Sequence, residues 1–460
     1  MNTSAKALFC ILFSTQTVWA APAIERWQDA SGAQVALVRS PGIPMVDIRL
    51  DFDGGARRDP IEQAGLAAAT ALMSQRGLRL PSPAADTGSG SAPAPGAVLD
   101  ENQLTERWMD LGAQWSVSAA MDPFSATLRS LTAPDVLPAA LDLAGQQLAH
   151  PDWDSDQAQA VWARERERLS AAWRSASTQP ATLAQRRFAA AVYRDHPYGF
   201  ETTPETLARI GLADMRAHWA RTVVPCRARV TLVGDLDRVQ ALAAVTQLLA
   251  PLVQARGGAC PQLPTVPEVQ PLQQGSRVHV ALDTAQAHVL LGQPGHARND
   301  PDYFALVLGN YVLGGGGFVS RLTTEVRERR GLSYGVYSYF APGLHAGAFQ
   351  VGLQTRPDQA EQALELVRAV VNRFVQEGPT EAELAAAKTF MANGFALRID
   401  TNRKLLDNVA NIQWHSLPTN YLDTWTESIA RVTAADIRRA FARVLQPQRM
   451  VSVTVGGPGG

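Results

Sequence analysis

Leu207–Gly234 reads LARIGLADMRAHWARTVVPCRARVTLVG, and Ile429–Gly456 reads IARVTAADIRRAFARVLQPQRMVSVTVG. Laid together without a gap, 11 of the 28 positions are identical. Ala208, Arg209, Ala213, Asp214, Arg216, Ala220, Arg221, Pro225, Arg227, Val233 and Gly234 each recur 222 positions on. Nearer the front of each half, Asp59-Pro60 matches Asp300-Pro301 at an offset of 241. The difference, 19, is the length of one low-complexity stretch, residues 79–97 (RLPSPAADTGSGSAPAPGA). Rich in Pro, Ser, Ala and Gly, that stretch reads as a flexible insertion in the first copy only. An internal repeat of this size predicts two related units. The expected fold class is α+β: two homologous domains, each a mostly antiparallel sheet with helices packed on one face. The expected limits are 22–253 for the first domain, a Pro/Gly/Gln-rich linker at 254–274, and 275–457 for the second.

The periodicities fill in the order of elements. Val35–Val38 and Val46–Phe52 alternate as strands, the second with Val46, Ile48, Leu50 and Phe52 inward. A helix over Ala64–Arg76 carries Leu66, Ala69 and Met73 on one face. Further helices are expected at Leu99–Leu111, Pro134–Leu148 and Asp154–Trp173, and strands at Trp115–Ala119, Ser125–Leu131 and Arg229–Val233. In the second half, strands fall at Arg277–Leu282 and His288–Leu291, and Thr380–Glu383 is a capping box.

With 460 residues, 46% hydrophobic and 18% charged, the chain can bury more than one core. A net charge of −1 gives no hint of a basic surface for nucleic acid or lipid headgroups. Residues 1–20 read as a secretory signal: Lys6, the apolar run Ala7–Phe13, then Val18-Trp19-Ala20 before Ala21. The expected destination is the bacterial periplasm, and no other apolar run reaches the ~18 residues of a membrane span. Cys10 lies in the signal; Cys226 and Cys260 remain, either bridged or as two independent thiols.

Gly314–Phe340 reads GGGGFVSRLTTEVRERRGLSYGVYSYF. The spacing predicts a helix with Phe318, Val319, Leu322 and Val326 on one apolar face and a surface pair between Arg321 and Glu325. Gly331 ends it as a residue of positive φ, and a strand over Ser333–Phe340 follows. Arg327 and Tyr334 meet near that corner, a guanidinium and a hydroxyl able to hold a carbonyl or carboxylate. The glycines Gly314, Gly315, Gly316 and Gly317, with Phe318, match no phosphate-binding motif. They suit close passage of backbone beside a peptide or a facing domain.

Gly54-Gly55-Ala56-Arg57-Arg58-Asp59-Pro60 before Gly65-Leu66-Ala67, His196-Pro197-Tyr198-Gly199, Val233-Gly234-Asp235 and Gly314–Tyr334 together resemble the insulinase/pitrilysin family, which includes the mitochondrial processing peptidases. The resemblance spans nearly the whole mature chain and implies paired α+β domains closing as a clamshell around peptides. Active members carry H-x-x-E-H on the helix after Gly-Leu-Ala, two imidazoles on one face for Zn²⁺ and a glutamate to activate water. Here those positions are Ala68, Ala71 and Leu72, and the later glutamate ligand aligns near Ala172. No metal is expected on this chain. Of the mature histidines, His150, His196, His218, His279, His288, His296, His345 and His415, no two have i, i+4 spacing. His196 reads as structural, and Glu165 and Glu167 as a solvated helix face, with the third-ligand place as their functional alternative. The family's Arg/Tyr pair, which holds the substrate backbone and polarises the scissile carbonyl, carries over onto Arg327 and Tyr334.

The resemblance therefore implies an exported non-catalytic subunit. It would bind peptide and present Arg327 and Tyr334 to a homologous partner that carries the zinc, forming a heterodimer. The alternatives are a peptide-binding or assembly protein with no enzymatic partner, and an independent zinc metalloprotease with other ligands.

Overall fold

The computed structural model describes residues 22–80, 97–258 and 260–457. The signal segment 1–20 and most of the insertion lie outside the described residues. The insertion's flanks are ordered into a small ribbon, so Arg79 and Val98 belong to strands rather than to the loop.

Thirteen strands are present among the described residues: β1 (Glu25–Gln28), β2 (Gln34–Arg39), β3 (Met45–Phe52), β4 (Gly77–Arg79), β5 (Val98–Asp100), β6 (Gln114–Ala119), β7 (Phe124–Leu131), β8 (Arg229–Gly234), β9 (Ser276–Val280), β10 (Ala287–Pro294), β11 (Val336–Phe340), β12 (Ala348–Thr355) and β13 (Val451–Val455). The first sheet has the order β1-β2-β8-β3-β7-β6 and the second β11-β12-β10-β13-β9. All neighbours are antiparallel except β2 with β8 and β9 with β13. The two sheets are thus mostly antiparallel, as expected. Alternation in β3 works as read: Val46, Ile48, Leu50 and Phe52 are fully buried.

Fourteen helices surround the sheets among the described residues. In the first half these are α1 (Leu66–Met73), α2 (Glu101–Asp110), α3 (Leu137–Ala149), α4 (Asp156–Ala176), α5 (Pro180–Tyr193), α6 (Pro204–Ala208), α7 (Leu212–Thr222) and α8 (Arg238–Arg256). In the second half they are α9 (Tyr303–Asn310), α10 (Ala360–Glu377), α11 (Glu381–Gly394), α12 (Asn402–Trp414), α13 (Tyr421–Arg431) and α14 (Ala434–Val444). The 222-residue offset carries the starts of α5, α7 and β8 onto those of α12, α14 and β13. Leu99 lies in β5, and α2 starts at Glu101 because Asp100 accepts from the backbone N–H of Asn102 and Gln103.

Each sheet packs its own helices on one face, but the opposite face is covered from the other half. Ala184, Phe188 and Val192 of α5 are buried with Leu290, Val451 and Val453 of the second sheet. Reciprocally, Leu405, Leu406, Val409 and Ile412 around α12 are buried with Ala36, Val38 and Val233 of the first. Polar bonds follow the same exchange, with Gln413 accepting from Thr231 at 2.9 Å and donating to the Gln34 carbonyl at 2.9 Å. Cys226 is bonded to Cys260, tying the turn before β8 to the segment after α8.

Candidate functional site

The Gly314–Phe340 stretch departs from a regular helix. The N–H of Gly316 donates to Tyr311 O at 2.8 Å and that of Arg329 to Thr324 O at 3.0 Å, both i to i−5. Phe318 and Val319 lie between these π-type turns in a separate 3₁₀ turn, Gly317–Val319, and Ser320 after it is extended (φ −80°, ψ 152°), so they precede the turns that carry Leu322 and Val326 and the expected apolar face splits. Leu322 and Val326 are buried, while Phe318 (69% exposed) and Val319 (71%) face outward. Arg321 does not pair with Glu325; it bonds Glu383 at 2.7 Å, and Glu325 instead takes Arg329 and Arg330.

The helix end is built as a Schellman cap: Leu332 N–H donates to Val326 O and Gly331 N–H to Arg327 O, both at 2.9 Å. Gly331 has φ +61°, and Leu332 is buried with Val326. That cap fixes Arg327 on the last turn and turns the chain so that Tyr334 arrives beside it. The strand begins only at Val336, leaving Tyr334 before it and 86% exposed.

Arg327, Tyr334 and Phe318 come together in space. The Arg327 Cζ lies 4.8 Å from the Phe318 ring centroid and 4.8 Å from that of Tyr334. No carboxylate among the described residues forms an ion pair with it. Two aromatic faces therefore orient a guanidinium whose donors remain available. The Phe318 ring also walls a cavity of about 570 Å³, with Tyr311, Tyr339, Phe390, Met391 and Arg398, while Tyr334 lines a different one with Gln185 and His288.

The glycines divide by role. Gly314 is buried, and a Cβ there would meet Ser338 Oγ at 2.4 Å and Ser338 N at 2.7 Å. Its small size serves packing against β11, which removes it from direct contact with a ligand. Gly315 and Gly316 similarly abut Asn310 and Tyr311, whereas Gly317 has open space and φ +61°. The exposed rim is Gly315, Gly317, Phe318 and Val319.

The zinc-motif positions sit on α1. Ala68 is exposed and Leu72 half-buried, one turn apart, while Ala71 is buried. Ala172 is exposed on α4. None of these side chains has a lone pair, so the residues present do not fit a zinc ion. Glu165 is buried and engaged with Arg168 at 2.7 Å, Arg164 at 3.4 Å and Arg76 at 3.8 Å. Burial raises its pKa, but the surrounding arginines, Arg168 first, outweigh that and hold it below the usual carboxylate range. Glu167 is exposed and pairs with Arg174.

His196 is buried, with Nε2 2.9 Å from Pro267 O and Nδ1 accepting from Tyr198 N–H. His345 stands 5.3 Å from it ring to ring and lies 3.1 Å from Glu268. The Tyr198 hydroxyl donates to Asp122 at 2.7 Å, and Asp122 also accepts from Leu344 N–H at 2.9 Å. This constellation joins the two halves, and sequence spacing had no means of bringing residues 122, 198 and 345 together. Among the described residues no group of three or more His, Cys, Asp or Glu is arranged to hold a metal.

One further residue was missed. Gln75, just after α1, donates from Nε2 to Val117 O at 2.9 Å and accepts Val117 N–H at 3.0 Å. The side-chain amide thus takes the place of a neighbouring strand on the edge strand β6. Gln75→Ala is expected to cost about 1–2 kcal/mol. It should also speed hydrogen exchange at the Val117 amide at least tenfold; unchanged protection would show that the clamp is not formed in solution.

A sequence profile described as the peptidase M16 inactive domain matches residues 209–391. The crystal structure of a peptidase M16 inactive domain from Pseudomonas fluorescens superposes with a TM-score of 0.84 and 31% identity, covering 95% of this chain and 98% of that one. A Helicobacter pylori protein named non-peptidase homolog YmxG is 30% identical over 56% of this chain and 57% of its own length. The alpha subunit of the mitochondrial-processing peptidase of Caenorhabditis elegans is 27% identical over 35% of this chain and 33% of its own length. The chain thus spans about half or less of these two curated relatives. Among the described residues no helix is long and apolar enough to cross a membrane. With an inactive-domain relative aligned end to end and Ala68, Ala71 and Leu72 where the zinc motif would stand, the chain belongs to the M16, or insulinase/pitrilysin, peptidase family as a member without the H-x-x-E-H residues.

Proposed function

We propose that this chain is an exported, non-catalytic subunit that holds peptide for a zinc-bearing M16 homologue. The observation that carries the reading is Arg327, unpaired among the described residues and held between Tyr334 and the Phe318 ring that walls an aromatic cavity. A guanidinium and a phenol presented together can hold a peptide carbonyl and stabilise charge developing on its oxygen. The cavity suits an apolar or aromatic side chain of the same peptide. The zinc would sit on the partner, because α1 offers only methyl and isobutyl groups at the three motif positions. Export is supported by the signal pattern in residues 1–20.

The test mixes the purified mature chain with a zinc-bearing M16 homologue from the same cell and follows cleavage of a fluorogenic peptide library. Neither protein alone is expected to match the mixture. Arg327→Ala combined with Tyr334→Phe should lower the mixed activity at least tenfold without changing the melting temperature. Mixed activity that survives the double substitution would remove the pair from the mechanism. Peptide bound by this chain with no gain in cleavage would identify a peptide-binding protein without an enzymatic partner.

A further inference from the structure

The cavity that Tyr334 lines is walled by both halves. Ala181, Ala184 and Gln185 of α5 stand over the second sheet, where β10, β11 and β12 supply most of the remaining wall of a space of about 490 Å³. A missing side chain helps to shape it. Gly352 of β12 is the register partner of Tyr337 on β11, and a Cβ on Gly352 would stand 2.5 Å from the Tyr337 hydroxyl oxygen. Glycine thus leaves room for that ring to lie across β12. Two positions on, Gln354 shares this face of β12 and has His288 of β10 as its cross-strand partner.

Six polar side chains line the space: Gln185, Gln286, His288, Tyr334, Tyr337 and Gln354. Among the described residues the lining includes no Asp, Glu, Lys or Arg, and burial holds His288 below the usual imidazole range, so it is neutral at neutral pH. Gln185 is bonded to the Tyr339 side chain. The side-chain amides of Gln286 and Gln354 make no hydrogen bond among the described residues, and both residues are exposed. Each offers two N–H donors and one acceptor oxygen. A charged side chain entering here would leave water without meeting a counter-charge. An aliphatic one would strip water from the amides and return no hydrogen bond. A carboxamide answers donors and acceptors alike and brings no charge.

We infer, on the basis of the peptide-holding role proposed above, that this cavity is the subsite for a carboxamide side chain, glutamine or asparagine, of the peptide held at Arg327 and Tyr334. Arg327 stands between the two subsites: Phe318 on one side walls the aromatic cavity, and Tyr334 on the other lines this one. The preferred peptide pairs an aromatic or apolar residue with a glutamine or asparagine, and Gln354 sets the second preference.

The experiment is fluorescence anisotropy with the full mature chain and no partner protein. The probes are fluorescein-labelled Ala-Ala-Ala-Phe-Ala-Ala-Ala and its variants in which Gln, Glu, Lys or Leu replaces each alanine in turn. At one position Gln is expected to bind at least fivefold more tightly than Glu, Lys or Leu. Gln354→Glu should turn the preference at that position to Lys, and Gln354→Lys should turn it to Glu. Should either variant fail to fold, Gln286→Glu repeats the test with the same expected turn to Lys. Equal binding at every position, a wild-type preference for one of the other three residues, or a preference that the folded variants leave unchanged overturns the subsite and leaves the peptide-holding role standing. No binding of any peptide overturns both.

Discussion

Asp59→Asn is expected to destabilise the folded chain by about 2–3 kcal/mol at pH 5 and by less at pH 8. Asp59 is buried, and its two carboxylate oxygens accept from Gly65 N–H and Ala67 N–H, each at 2.9 Å. Gly65 occupies the N-cap of α1 and has no side chain, so a carboxylate six residues upstream does the capping instead. The hydroxyl oxygen of the protonated acid keeps lone pairs that can still accept an N–H, whereas asparagine turns an amide N–H₂ with no acceptor lone pair toward one of the two donors, which is then left unmatched.

The pH dependence follows from the same burial. Burial pushes the Asp59 carboxyl up to about 7, against the pull of backbone N–H groups from Ala67, Gly65 and Leu66. The folded value therefore lies above the unfolded one near 3.8, so between them the folded chain holds a proton that the unfolded chain has released. By linkage this group's contribution is fully present below about pH 4 and declines as pH rises toward about 7. Denaturant unfolding of wild type and Asp59→Asn from pH 4 to pH 8 checks it. The stability gap should narrow across that window; a gap that widens with pH would show that Asp59 stays ionised throughout.

Much of this was legible in the chain itself. The 222-residue repeat marked two related units, alternation placed the strand β3, and an apolar run ending at Gly234 placed β8. The empty zinc motif followed once the family resemblance had placed that motif at residues 68, 71 and 72. What stayed hidden shares a physical cause: periodicity shows that a segment has an apolar face, not which surface covers it. The outward position of Phe318 and Val319 depends on a short 3₁₀ turn that ends in extended backbone at Ser320, a break in the helix that leaves no periodic signature. The Gln75 clamp and the Asp122–Tyr198–Leu344 link depend on tertiary approach. Asp59 could have been found, since Asp-Pro before a Gly-led helix with no capping side chain leaves N–H groups seeking an acceptor.

The helix exchange between the halves leads to the largest expected effect: residues 22–253 and residues 275–457, produced separately, should not fold. In the first piece, α5 would expose Phe188 and Val192, and the sheet would uncover Ala36, Val38 and Val233. In the second, α12 would expose Leu405, Leu406, Val409 and Ile412, and the sheet Leu290, Val451 and Val453. Full burial of one large aliphatic or aromatic side chain contributes about 1.5–3 kcal/mol. Several such side chains lost from each piece amount to roughly 10 kcal/mol, comparable to the ~5–15 kcal/mol that keeps an ordinary domain folded. Size-exclusion chromatography and near-ultraviolet circular dichroism of each piece check it: aggregated or unstructured material is expected from either alone. Co-expression should return a soluble 1:1 complex, because each piece then regains the helix that covers its sheet. A monomeric piece with a cooperative thermal transition would mean that the exchanged helix is dispensable and that the half is self-sufficient. The same geometry resists tilting of one sheet against the other, since that movement would pull α5 or α12 from its seat.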